Sequence, residues 1–140
     1  GVVATVGVPF AFAEVDSRSA LAQCKPNLAA FEYCDREYGY PEEGFSLMVY
    51  FRETREIVHG RMFGPLIGIQ EDAATGSAAA ALAGLLAQGA TTQWALFQGH
   101  DMGRPSTLRL RTERILSADL CIQVGGCCVP MIEGVLQGKV

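Results

Sequence analysis

The sequence predicts an α+β domain in which a curved, mostly antiparallel, barrel-like sheet wraps around one central apolar helix. Three observations lead there. Residues 73–88, AATGSAAAALAGLLAQ, carry no charged side chain. Segments rich in aromatic and branched residues stand on both sides of that run, as strands do. The strand–helix alternation of a doubly wound parallel sheet is missing.

Taken in order, VPFAFAEV at 8–15 reads as a strand, SRSALAQ at 17–23 as a short helical piece, and 26–37 as a further turn or helix. GFSLMVYFRE at 44–53 is a strand, and REIVHGRMFGP at 55–65 is its neighbour, ended by Gly64-Pro65. Gly76 to Ala87 then gives a helix of about three turns, about 18 Å long. A helix apolar on every side is surrounded by protein or lipid. This one falls short of the roughly 20 apolar residues that span a bilayer, so it belongs in a core, where its small side chains let strands approach closely. QWALFQG (93–99), STLRLRTE (106–113), DLCIQVGG (119–126) and CCVPMIEG (127–134) follow as strands. In STLRLRTE, Leu108 and Leu110 point one way and Arg109 and Arg111 the other, the pattern of a half-exposed strand. Pro130 marks an edge or an irregular place.

The whole chain bounds the function. Its 140 residues make one domain, with 49% hydrophobic and 19% charged residues. The net charge of −4 argues against nucleic acid or an anionic membrane as partner. No transmembrane run or signal peptide is visible. The chain opens on Gly1 rather than Met, as a trimmed or partial chain does. Its five cysteines, Cys24, Cys34, Cys121, Cys127 and Cys128, form no CxxC pair and no zinc spacing. They read as buried free thiols of a reducing cytoplasm, with no metal implied.

The start of the apolar helix is where chemistry is expected. The first four N–H groups of a helix lack partners within it, and the helix dipole makes that end electropositive. Asp72 or Thr75 can cap one or two of these groups. Gly76 and Ser77 carry so little side chain that a carboxylate or phosphate could reach their amides. A plainly structural, capped helix is the competing reading. No Gly-Lys-Ser/Thr follows, so nucleotide binding is discarded.

GRMFGPLIGIQEDAATGSAAAALAGLL, QGHDMGRPSTLRL and IQVGGCCVPMIEGVL together resemble, in the right order, the phenazine-biosynthesis PhzF-like family. VGVPFAFAEV is similar to the strand that opens the family's second lobe. The resemblance covers nearly the whole chain. It implies the diaminopimelate-epimerase fold, in which two lobes each wrap strands around a central helix and the active site lies where the two helix N-termini meet. Members also carry a Gly-Asn-Pro segment, a catalytic Glu and a Gly-His-Pro-Thr step in their first lobe, none of which is present here. Residues 1–140 thus look like a single lobe, the C-terminal half of a two-lobe enzyme without its N-terminal lobe.

By that resemblance Asp72 is the candidate catalytic residue, orienting substrate or assisting proton movement. Thr75, Gly76 and Ser77 are the candidate substrate-binding residues, with the substrate carboxylate at the helix end. Thr75 stands where cysteine-using epimerases of this fold have a Cys, which disfavours two-cysteine racemisation and suits a cap or supporting role. Glu71 reads as structural. His59, a lone strand histidine, reads as packed or exposed rather than catalytic, and His100 as a loop residue without a partner. Arg104 reads as a buried guanidinium tying loops together.

The function implied is a lobe of a cofactor-independent, cytoplasmic isomerase or epimerase that moves a proton on a small carboxylic acid. Its expected partners are the missing N-terminal lobe or a second copy of the chain, as a homodimer. The alternative is a stand-alone, non-catalytic ligand-binding or assembly module, with which the positive mean hydropathy of +0.20 agrees.

Overall fold

The computed structural model describes residues 1–38, 44–115 and 119–138. Its strands are β1 (Val2–Thr5), β2 (Pro9–Glu14), β3 (Leu47–Arg52), β4 (Ile57–Gly64), β5 (Ile69–Asp72), β6 (Thr92–Gln98), β7 (Ser106–Ile115) and β8 (Asp119–Gly125). Its α-helices are α1 (Arg18–Gln23), α2 (Leu28–Tyr38) and α3 (Gly76–Ala87). All the strands belong to one sheet in the order β1-β2-β3-β4-β6-β7-β8, with β5 attached to β4 off that path. Most neighbours are antiparallel; β2/β3 and β4/β6 are parallel.

The sheet is curled because α3 packs against both of its ends, touching β1 and β2 on one side and β7 and β8 on the other. The inward residues follow the period of two that strands impose. Phe10 and Phe12, Met48 and Tyr50, Val58 and Met62, Trp94 and Leu96, and Leu108 and Leu110 close around Ala78, Ala79, Ala81, Leu82, Ala83 and Ala87. The small residues of α3 are what permit this closeness. A Cβ on Gly84 would sit 3.0 Å from Ile122 Cδ1 on β8. Outside the curl, α1 and α2 cover β3 and β4 through Leu21, Phe31, Val49 and Phe63. Ser17 caps α1 by accepting from Ala20 N–H at 3.1 Å.

The expected helix over 76–87 and the strand core of each expected segment up to residue 125 are present, and Leu108 and Leu110 are buried between exposed Arg109 and Arg111. Three features differ from expectation. β1 and β5 are strands that the sequence reading did not flag. Residues 126–138, in which a last strand was expected, have no regular structure. A strand needs a backbone partner, and this apolar segment has none among the described residues; Pro130 also lacks an N–H to offer. Val129, Met131, Ile132, Val135 and Leu136 are consequently 77–101% exposed. Third, the cysteines are free but not buried: Cys24, Cys34 and Cys121 are half-buried, and Cys127 and Cys128 lie exposed on that segment. No helix among the described residues is long and apolar enough to cross a membrane.

Two outcomes are expected. Ala81→Asp or Leu82→Asp buries an unpaired charge where the wild-type residue is 2% or 1% exposed, and lowers stability by about 3 kcal/mol or more; chemical denaturation measures the loss, and an unchanged midpoint contradicts a central α3. Thiol titration of the denatured protein without reductant should count all five cysteines.

Candidate functional site

One group of buried polar side chains gathers where β5 ends and α3 begins. Thr75 is the N-cap residue by position, but its side chain makes no capping bond; of the cap and supporting roles expected, it takes the supporting one. Its hydroxyl instead donates to Asp72 Oδ2 at 2.7 Å and accepts from Gln98 Nε2 at 2.9 Å. Gln98, at the end of β6, is fully buried. It also donates from Nε2 to Asp72 O at 2.8 Å and accepts Thr75 N–H on Oε1 at 3.2 Å. One amide side chain thereby holds the end of β5 and the start of α3 in register.

Asp72 is half-buried, Thr75 is buried, and Gly76 and Ser77 are exposed. The structure brings the four predicted site residues together but divides them into two layers. Gly76 and Ser77 form the surface: a Cβ built on Gly76 would meet nothing within 4 Å. The amides of this first turn have no acceptor within the helix and sit at its electropositive end. Thr75 lies behind, its hydroxyl engaged by its two neighbours. The arrangement places the exposed first turn of a helix beside a half-buried carboxylate.

Behind β5 lies an ion-pair network that fixes its position. Arg61 on β4 is 8% exposed and grips Glu71 with two bonds, Nε to Oε1 at 2.9 Å and Nη2 to Oε2 at 2.7 Å. Its Nη1 donates to the carbonyls of Leu21, Ala22 and Cys24 at the end of α1, at 3.1, 3.0 and 2.9 Å. The hydrogen bonds to Glu71 raise the Arg61 pKa, against the lowering effect of burial. Asp101 lies 3.9 Å from Arg61 Nε and 2.9 Å from Arg18 Nη2, which joins the 99–104 loop to the same network.

That loop is pressed onto the site. Gly99 has φ +77°, and a Cβ there would fall 2.2 Å from Arg104 O and 2.9 Å from Ala73 O. Only glycine combines this left-handed conformation with so close a backbone approach. Arg104 itself is exposed, so the expected buried guanidinium is Arg61 instead. His59 is stacked between Phe51 and Phe97, with ring centroids 6.3 and 5.4 Å away, and its Nε2 lies 2.6 Å from Glu53 Oε2. His100 meets only the edge of the Phe97 ring among the aromatic contacts. Neither histidine forms a hydrogen bond with Asp72, Thr75 or Gln98. Sequence reasoning named Glu71 as structural but missed Arg61 and Gln98. Both stand inside the motif segments, and only the spatial pairing shows what they do.

Residues 1–134 match the phenazine biosynthesis-like protein family. The chain is 32% identical to an uncharacterized isomerase of Deinococcus radiodurans, an alignment covering 96% of this chain and 45% of that protein. It is 34% identical to an uncharacterized isomerase of Mesorhizobium japonicum, over 94% of this chain and 46% of the other. A trans-2,3-dihydro-3-hydroxyanthranilate isomerase of Pseudomonas aeruginosa is 38% identical over 53% of this chain and 28% of its own. In structure, the chain is similar to the phenazine biosynthesis protein of the PhzF family from Bacillus anthracis, with TM-score 0.71 and 19% identity over 87% of this chain and 43% of that one. The chain thus spans about half the length of the curated relatives that it matches along most of its own length.

Two substitutions probe the support of the site. Gly99→Ala must move backbone at Ala73 or Arg104 and should cost at least about 2 kcal/mol. Arg61→Met leaves Glu71 and three carbonyls without their donor and should cost about 3–5 kcal/mol. Urea unfolding checks both, and a loss below about 1 kcal/mol in either would contradict the geometry described.

Proposed function

The chain belongs to the phenazine biosynthesis-like family, and from that premise we propose that it is one lobe of an isomerase that transfers a proton on a small carboxylic acid without a cofactor. The observation that carries this reading is the open start of α3. Exposed amides at Gly76 and Ser77 stand beside Asp72, whose position is fixed from behind by Thr75 and Gln98. The amides would hold the substrate carboxylate, as helix N-termini hold anions. Asp72 would orient the reacting part or relay the proton. The main acid/base would come from across the crevice, from an N-terminal lobe or a second copy of the chain in a homodimer. The Pseudomonas relative is named a trans-2,3-dihydro-3-hydroxyanthranilate isomerase, and the carboxylate of such a compound agrees with this reading.

A stand-alone assembly module is the second reading. The apolar stretch over 129–136, exposed along its length, favours it, because such surface is normally covered by another body. The two readings separate by experiment. The 140-residue chain and a two-lobe form are each incubated in D2O with a panel of small hydroxy and amino carboxylic acids. Exchange of a carbon-bound proton is then followed by NMR. We expect exchange only where a second lobe or a dimer completes the crevice, since a positioned acid/base typically contributes about 10²–10⁴-fold. Asp72→Asn should lower the rate by about 10²-fold or more with the fold intact, whereas Ser77→Ala should act mainly on binding, because the backbone amides remain. Efficient exchange by the monomeric chain would refute the lobe reading, and none by any form would favour the assembly reading.

A further inference from the structure

Hydrogen bonds at the site have a direction, and two backbone groups determine it. Thr75 N–H can only donate, so the Gln98 atom facing it at 3.2 Å is the amide oxygen. Asp72 O can only accept, so the Gln98 atom facing it at 2.8 Å is the amide nitrogen. The flip of this buried amide, often ambiguous in a structure, is therefore settled twice over by its partners. Nε2 has two protons. One goes to Asp72 O and the other to Thr75 Oγ1 at 2.9 Å. With its acceptor side facing Nε2, the Thr75 hydroxyl turns its single proton to Asp72 Oδ2 at 2.7 Å.

We propose that Gln98 is a positioning residue for Asp72: acting through Thr75, it commits Oδ2 to accepting a proton from behind and leaves Oδ1, which makes no hydrogen bond among the described residues, as the oxygen available to substrate. Were Gln98 unable to donate, the Thr75 hydroxyl could rotate and the carboxylate would lose its fixed plane. Complete burial of Gln98 keeps water from substituting for it. Gly99 supplies the remaining constraint, because its contact with Ala73 backbone holds the end of β6 against the end of β5. The contribution to turnover rests on the isomerase reading above; the direction of the hydrogen bonds does not.

The test has two arms. In the ligand-free 140-residue chain, NMR at low temperature should show a Thr75 hydroxyl proton exchanging at least about tenfold more slowly than that of exposed Thr107. Both Gln98 side-chain amide protons should be protected as well. Gln98→Met should bring the Thr75 hydroxyl to the Thr107 rate and move the Asp72 carboxyl carbon resonance. Thr75→Val should move that resonance in the same sense, and Thr75→Ser should restore it. Should Gln98→Met fail to fold, Thr75→Val against Thr75→Ser still reads the link. A wild-type hydroxyl as labile as that of Thr107, or one unaffected by Gln98→Met, overturns the proposed direction. In the two-lobe form, with the acid that exchanges fastest in the panel, Thr75→Val should lower kcat about 10- to 100-fold with little change in KM, and Thr75→Ser should recover it. Unchanged kcat with the NMR signature intact overturns the positioning role. No exchange in the wild-type two-lobe form overturns the isomerase reading alone, and the hydroxyl signature then decides the direction of the bonds by itself.

Discussion

Burial of α3 is the constraint on which the rest of the structure depends. A helix without a charged side chain over 73–88 must be enclosed on nearly every side, and the sheet encloses it only by curling until β1 and β8 both touch it. The curl is tight because the enclosed residues are small. Ala78, Ala79 and Ala83 have no exposed surface, and a Cβ on Gly84 would press on Ile122 Cδ1 at 3.0 Å. A helix has unsatisfied N–H groups at its start wherever it is placed. Enclosing its flanks directs that polarity to one rim of the curl, where Asp72, Thr75 and Gln98 also meet.

Arg61 organises that rim from behind. A buried ion pair is weak evidence for stability, since desolvation offsets much of its attraction. Its value here is positional. The planar guanidinium has five N–H donors in a fixed fork, and the structure uses them on Glu71 and on the carbonyls of Leu21, Ala22 and Cys24 at the end of α1. Glu71 precedes Asp72, so gripping one carboxylate sets the backbone that presents the next. Asp101 and Arg18 extend the network to the 99–104 loop, whose first residue, Gly99, lies against Ala73. Each of the three elements at the site is thus tied to the other two.

Much of this was legible in the sequence, for reasons particular to each element. The limits of α3 could be read because its composition changes abruptly at Asp72 and at Gln88, and strands with aromatic and branched runs declare themselves. β1 and β5 are short, four residues each, too brief for a period of two to emerge. The last segment misled because CCVPMI has strand composition, and composition states a preference while a strand exists only with a neighbour. Asp72, Gly76 and Ser77 were nameable because local chain order puts them at a helix start. Gln98 was not, because 23 residues separate it from Thr75 and only the parallel pairing of β4 with β6 brings its strand alongside. Arg61 takes the buried role expected of Arg104 for the same reason: both are arginines in motif segments, and burial is decided by what packs over them.

The layering of the site separates its buried groups from its exposed ones. The residues that set the position of Asp72 are buried, where hydrogen bonds are strong and water does not compete. The groups that would touch an anion, the amides of Gly76 and Ser77, are in open water, where the attraction between charges a few ångströms apart falls to about 1 kcal/mol. The same donors act far more strongly once a second surface excludes that water. The first turn of α3 is therefore where a covering surface would most strengthen an interaction with an anion. Behind that turn Thr75 holds Oδ2 of Asp72, and Gln98 holds the Asp72 carbonyl and the Thr75 N–H.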